Sequence, residues 1–161
     1  MGIEEVNRIK QFFSDTGIEV EYLEHKPVNT SAEAAAQRGF ALKQGIKALL
    51  FTDGNVKFVV VDIPADLKVD IKKVAVFLDW PKNKIRMASS QEVLEETGCE
   101  IGAVPPFGHK KKITILFDSK IFENEVSAFN IGLRTVSVKI ATKNMKIVFS
   151  RLNAKEGDFT L

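Results

Sequence analysis

The stretch IKALLFTDGNVKFVVVDI, residues 46–63, holds two β-rich apolar runs separated by Asp53-Gly54-Asn55. Turn residues of that kind between two such runs predict an antiparallel hairpin. A hairpin here excludes a purely parallel doubly wound sheet, in which neighbouring strands are joined by long crossovers.

On the N-terminal side, Ile3, Val6, Ile9, Phe12 and Phe13 recur at helical spacing and Gly17 follows as a stop signal. EVEYLEH (19–25) alternates and reads as a short strand ending at His25, and Pro27 breaks it. Thr30 or Ser31 then caps a helix through SAEAAAQRG, which Gly39 ends. On the C-terminal side, VDIKKVAVFLD (69–79) reads as a helix and KIRMAS (84–89) as a strand. Ser89 or Ser90 opens a second capped helix, closed by Gly98. KITILFD (112–118), VSAFNIG (126–132) and TVSVKIA (135–141) read as strands, and TKNMKIVFSRL (142–152) as a helix. The expectation is one mixed α/β (α+β) domain over residues 1–161, with a curved, barrel-like mixed sheet flanked by helices packed outside.

With 161 residues, 45% of them apolar and 27% charged, the chain can bury a core without metals or disulfides. Cys99 is alone, and one Cys with two distant histidines, His25 and His109, cannot make a zinc site, so no metal is expected. The charged, amphipathic N-terminus is no signal peptide, and no apolar run is long enough to span a membrane. A cytoplasmic protein is expected. The net charge of +2 is unevenly spread: residues 1–108 carry 13 Lys/Arg against 16 Asp/Glu, residues 109–161 carry 10 against 5. That asymmetry suits an anionic partner on one side, and equally a solvated lysine-rich surface.

The common catalytic signatures are missing. There is no GxGxxG after a strand, no GxxxxGK[ST] and no GxSxG elbow. An enzyme built on this chain would work without standard side-chain machinery. Backbone chemistry is left, and GCEIGAVPPFGHKKK (98–112) is suited to it. Glycines let a ligand approach the main chain, Pro105 and Pro106 stiffen it, and the N–H groups of Gly102, Ala103 and Val104 would hold a carbonyl oxygen or developing oxyanion. A tight buried connection between a helix and a strand would use the same residues.

GIKALLF with GCEIGAVPPFG resembles the YbaK-like and prolyl-tRNA synthetase editing-domain family, the trans-acting aminoacyl-tRNA deacylases. EHKPVNTSAEAA, KIRMASSQEVLEETG, ILFDSKIF and VSAFNIG resemble further family segments in the family's order, over roughly residues 20–135. The resemblance implies hydrolysis of the ester of a mischarged tRNA, usually tRNA for proline, in trans and largely substrate-assisted through a ribose hydroxyl. No cofactor is implied. The implied partner is the tRNA acceptor end, with the protein acting free-standing or recruited by an aminoacyl-tRNA synthetase.

It also implies roles. Lys47 would bind the terminal phosphate or ribose, and the backbone of Gly102, Ala103 and Val104 the aminoacyl carbonyl, stiffened by Pro105 and Pro106. His25, Thr30 and Ser31 would lie near the pocket, with Asp118, Asn130 and Gly132 on strands close to it. Lys110, Lys111 and Lys112 would contact tRNA phosphates. Ala48 departs from the family, which often has a polar residue there to help read the amino acid.

Each residue has a plainer alternative: Lys47 a surface lysine, Thr30 and Ser31 helix caps, His25 a turn histidine, Asp118 a cap, the lysine triplet a solvated strand edge. Two other functions remain open: a non-catalytic module binding aminoacyl-tRNA or a synthetase, and a hydrolase of small esters or amides.

Overall fold

The computed structural model describes residues 1–27 and 30–161, the side chains of Ser31 and Arg38 excepted. In chain order the elements are α1 (Ile3–Thr16), β1 (Glu21–Glu24), α2 (Ser31–Arg38), β2 (Ile46–Thr52), β3 (Phe58–Pro64), α3 (Ile71–Leu78) and β4 (Arg86–Met87). They continue with α4 (Ser90–Thr97), β5 (Thr114–Asp118), β6 (Val126–Asn130), β7 (Val136–Ala141), α5 (Thr142–Arg151) and β8 (Lys155–Gly157). The hairpin is present: β2 and β3 pair antiparallel from Ile46–Pro64 to Thr52–Phe58. Asp53 holds its turn by accepting from the N–H groups of Asn55 and Lys57.

The expected curved, barrel-like sheet does not form. The described strands divide into a three-stranded sheet, β1-β7-β6, and a five-stranded one, β4-β2-β3-β5-β8. Both are open. The edge strands β4 and β8, of two and three residues, are too short to carry a ladder round to closure. An isolated parallel bridge, Gly45 to Ala128, joins the start of β2 to the middle of β6.

The main core is helix on sheet rather than a sheet closed on itself. Val6, Ile9 and Phe13 of α1 and Met145, Val148 and Phe149 of α5 pack against Ile46, Leu50, Val60, Phe117, Phe129 and Val138. Phe149 stacks on Phe117 at 4.0 Å and 4°. The other face of the larger sheet (Phe51, Val59, Val61, Ile63, Leu116) is sealed by Val74 and Ala75 of α3 and by Phe159. Strand alternation therefore divides each strand between two surfaces. It also buries an anomaly: Asp62, wholly buried between Val61 and Ile63, carries both carboxyl oxygens without a hydrogen-bond partner among the described residues.

Capping explains the helix ends. Thr30 accepts from the Glu33 N–H, and Ser89 and Glu92 form a reciprocal capping box. Among the described residues no helix is long and apolar enough to cross a membrane.

Candidate functional site

Helix α1 clamps the glycine-proline loop. Gly108 lies at φ +80°, and a Cβ there would fall 2.6 Å from Ile9 Cγ1, so the chain can pass the helix only as glycine. Arg8 Nη1 donates to the Gly108 carbonyl at 2.8 Å. Phe107 is buried beneath and meets Phe12, Phe13 and Phe129 at ring-centroid distances of 5.1, 5.7 and 6.1 Å. His109 Nε2 donates to the Pro105 carbonyl at 2.7 Å and so braces the proline pair. Burial pushes the His109 imidazole down to about 4, so it is neutral, and it is no cation beside the lysine triplet.

With its ends clamped, the loop exposes Gly102 at φ +87°, where a Cβ would meet, among the described residues, only the end of Arg134. Two consecutive peptide planes are held there. Arg134 Nη2 donates to the Ile101 carbonyl at 2.7 Å, and Asn130 Nδ2 donates to the Gly102 carbonyl at 2.9 Å. In a trans peptide C=O and N–H point oppositely, so pinning the Ile101 carbonyl aims the Gly102 N–H away from Arg134. The Ala103 N–H is already engaged, donating to the Glu100 carbonyl at 3.0 Å. Of the three expected donors, Gly102 and Val104 keep N–H groups with no hydrogen bond among the described residues.

The small sheet supports this loop. Phe129, Ile131, Val138 and Ile140 face the main core, so Asn130 and Ser137 face the other way. Ser137, buried, bonds to Asn130 Oδ1 at 3.1 Å and to His25 Nε2 at 2.8 Å. His25 Nδ1 lies 2.9 Å from the Lys26 carbonyl. A continuous chain thus links His25, Ser137, Asn130 and the loop.

Lys47 belongs to the same surface. Ile46 and Leu50 face the main core, so Lys47 points away from it. The Gly45–Ala128 bridge sets β2 beside β6, and two residues further along each strand stand Lys47 and Asn130. Lys47 is half-buried and makes no hydrogen bond or ion pair among the described residues. Burial lowers its pKa, Asp66 opposes that, and Lys68 adds to it.

Other expected residues lie elsewhere. Ala48 faces the main core, opposite Asp62. Asp118 is consumed structurally: it accepts from the N–H of Lys120 at 2.8 Å and of Phe159 at 2.8 Å, anchoring the C-terminal segment. Gly132 packs on Gly2 and Glu5 at the N-terminus. Thr30 caps α2, and the Ser31 side chain lies outside the described residues. Pro105 and Pro106 are buried. Lys110, Lys111 and Lys112 are exposed, and Lys111 pairs with Glu96 at 3.1 Å.

Ser137 and Arg134 were not foreseen. A lone serine between Val136 and Val138 in an apolar strand was the available signal for the first; Arg134 had none. Cys99 is no nucleophile, since burial pushes its thiol up to about 12.

The chain that carries this arrangement belongs to a known family. The model of the aminoacyl-tRNA editing domain matches residues 25–147, and the chain belongs to that family, the one its motifs resemble. Over 139 residues it is 32% identical to the multifunctional Ser/Thr-tRNA deacylase ProXp-y of Escherichia coli K12, covering 84% of this chain and 82% of that one. Two crystal structures share the fold. Hypothetical protein APE2540 superposes with a TM-score of 0.85 at 23% identity, covering 96% of this chain and 99% of the other. A proposed trans-editing enzyme for prolyl tRNA synthetase superposes with a TM-score of 0.83 at 22% identity, covering 98% and 97%.

Proposed function

We infer that this protein is an aminoacyl-tRNA deacylase that clears mischarged tRNA in trans, acting on tRNA for proline among its substrates. The observation that carries this is the held Gly102 region: two peptide planes fixed from outside the loop, one of them by Asn130 of β6, the strand that the Gly45–Ala128 bridge sets next to β2 and its half-buried Lys47. Preorganised N–H donors cost no reorganisation when charge develops on a carbonyl oxygen, which is the need of ester hydrolysis. Gly102 and Val104 supply those donors. Lys47, without a partner among the described residues, binds the terminal phosphate or ribose as a compact point charge.

The attacking group comes from outside the chain. The Ser137 hydroxyl is buried in the relay, Cys99 is buried as a thiol and His109 is a neutral brace. Water positioned by the substrate's own ribose hydroxyl fits what is left. Editing of this kind serves where a synthetic site cannot reject a small competitor by binding alone. The test is ester loss from a panel of mischarged tRNAs, with seryl and threonyl esters included because the E. coli relative is named for them.

A further inference from the structure

The chain of hydrogen bonds behind the loop ends on a carbonyl at each side, and that fixes where its protons are. The Lys26 carbonyl can only accept, so His25 Nδ1 carries a proton to make their 2.9 Å bond. The Gly102 carbonyl also only accepts, so Asn130 presents Nδ2 to it and turns Oδ1 toward Ser137. Oδ1 has no proton, so Ser137 donates its one hydroxyl proton there. The 2.8 Å contact between His25 Nε2 and Ser137 Oγ is then a bond only if Nε2 donates as well. A neutral imidazole brings one proton too few.

We propose that His25 is a positioning residue of this site, acting as the imidazolium that sets the direction of the relay through Ser137 and Asn130 to the Gly102 peptide. Its consequence for rate rests on the deacylase function inferred above; the relay itself does not. When the ring loses a proton, one link becomes two facing acceptors. Either Nδ1 releases the Lys26 carbonyl, or the Ser137 hydroxyl turns to Nε2 and frees Asn130. The second outcome takes the holder away from the Gly102–Ala103 peptide.

The charged residues that flank His25 are Glu24 and Lys26 on its own segment and, next to the Thr135 carbonyl that accepts from the His25 N–H, Arg134 of the loop rim, which lies 3.7 Å from Glu100. His109 is already neutral, so its ring does not confuse the reading of His25.

Nitrogen–proton NMR of the intact chain from about pH 5 to 8.5 tests this without substrate. The probes are the His25 ring nitrogens, the Asn130 side-chain amide and the Gly102 and Ala103 amides. The expected result is a doubly protonated ring at the acid end, with the Asn130 and Gly102 signals moving at the ring's own midpoint. In His25→Gln, whose side chain donates without titrating, those signals stay constant. In wild type the deacylation rate, corrected for spontaneous ester loss, falls about fivefold across the titration, and His25→Gln lacks that fall. Ser137→Ala uncouples Gly102 from the ring. A ring singly protonated throughout, or Gly102 signals indifferent to it, overturns the proposal. So does coupling that survives in Ser137→Ala. Intact coupling with no ester hydrolysis on any tRNA sinks the deacylase function and leaves the relay standing.

Discussion

Asn130 Nδ2 donates to the Gly102 carbonyl at 2.9 Å, so a strand of the small sheet orients the loop that carries the N–H donors. Asn130→Ala removes that holder while leaving the main core, which Asn130 does not face, intact. Deacylation by Asn130→Ala is expected to drop about tenfold or more, with an unchanged thermal melt. Steady-state rates beside a melting curve check it; an equal loss of both would make Asn130 a stability residue only.

Gly108 and Ile9 make the converse relationship, one of fold. A Cβ at position 108 would lie 2.6 Å from Ile9 Cγ1 at φ +80°. Gly108→Ala is expected to destabilise by about 1–3 kcal/mol. Denaturant unfolding measures this directly, and wild-type stability would mean that α1 does not clamp the loop.

Much of this was legible in the sequence because it is written locally. The Asp53-Gly54 turn, the Thr30 and Ser89 caps and the apolar spacing of α1 each depend on neighbours a few residues away, and each element formed. The sheet closure was not legible, since it depends on how far the ladders run, and β4 and β8 proved too short. The three-residue β8 went unseen for the same reason. In the loop, the glycines and prolines marked rigidity correctly. Of their partners, Asn130 came with the family resemblance but without its role, while Arg134 and Ser137 did not show, because they reach the site only through the pairing of β6 with β7. His109 precedes the lysine triplet without adding a charge to it, because burial keeps it neutral, and a sequence does not show burial.

Asp62 gives a pH prediction with a definite sign. Burial, with no hydrogen-bond partner among the described residues, raises its pKa well above the ordinary carboxylate value. The folded chain therefore keeps a proton that the unfolded chain loses above about pH 3.9, and stability falls as pH rises from there toward the raised folded value. Asp62→Val, matching Val60 on the same face, is expected to raise stability at neutral pH by about 1–3 kcal/mol and to flatten that slope. Melts from acid to neutral pH would show it; a destabilised variant would mean the carboxyl has a partner in solution.

Lys57, Trp80, Lys111 and Lys112 line a groove of about 450 Å³ beyond the loop. If tRNA phosphates lie there, replacing Lys57 and Lys112 together by alanine should reduce the slope of log affinity against log salt by about 1.5. Lys111, tied to Glu96 at 3.1 Å, should contribute less. Filter binding across a salt series reads these slopes, and an unchanged slope removes the groove from the tRNA path.

The central claim is tested most directly by ester hydrolysis on a mischarged-tRNA panel, run with wild type and Lys47→Ala side by side. The account predicts that wild type clears at least one misacylated tRNA and that the lysine variant, folded by melting curve, loses that activity. Intact wild type that leaves every ester in place would contradict it.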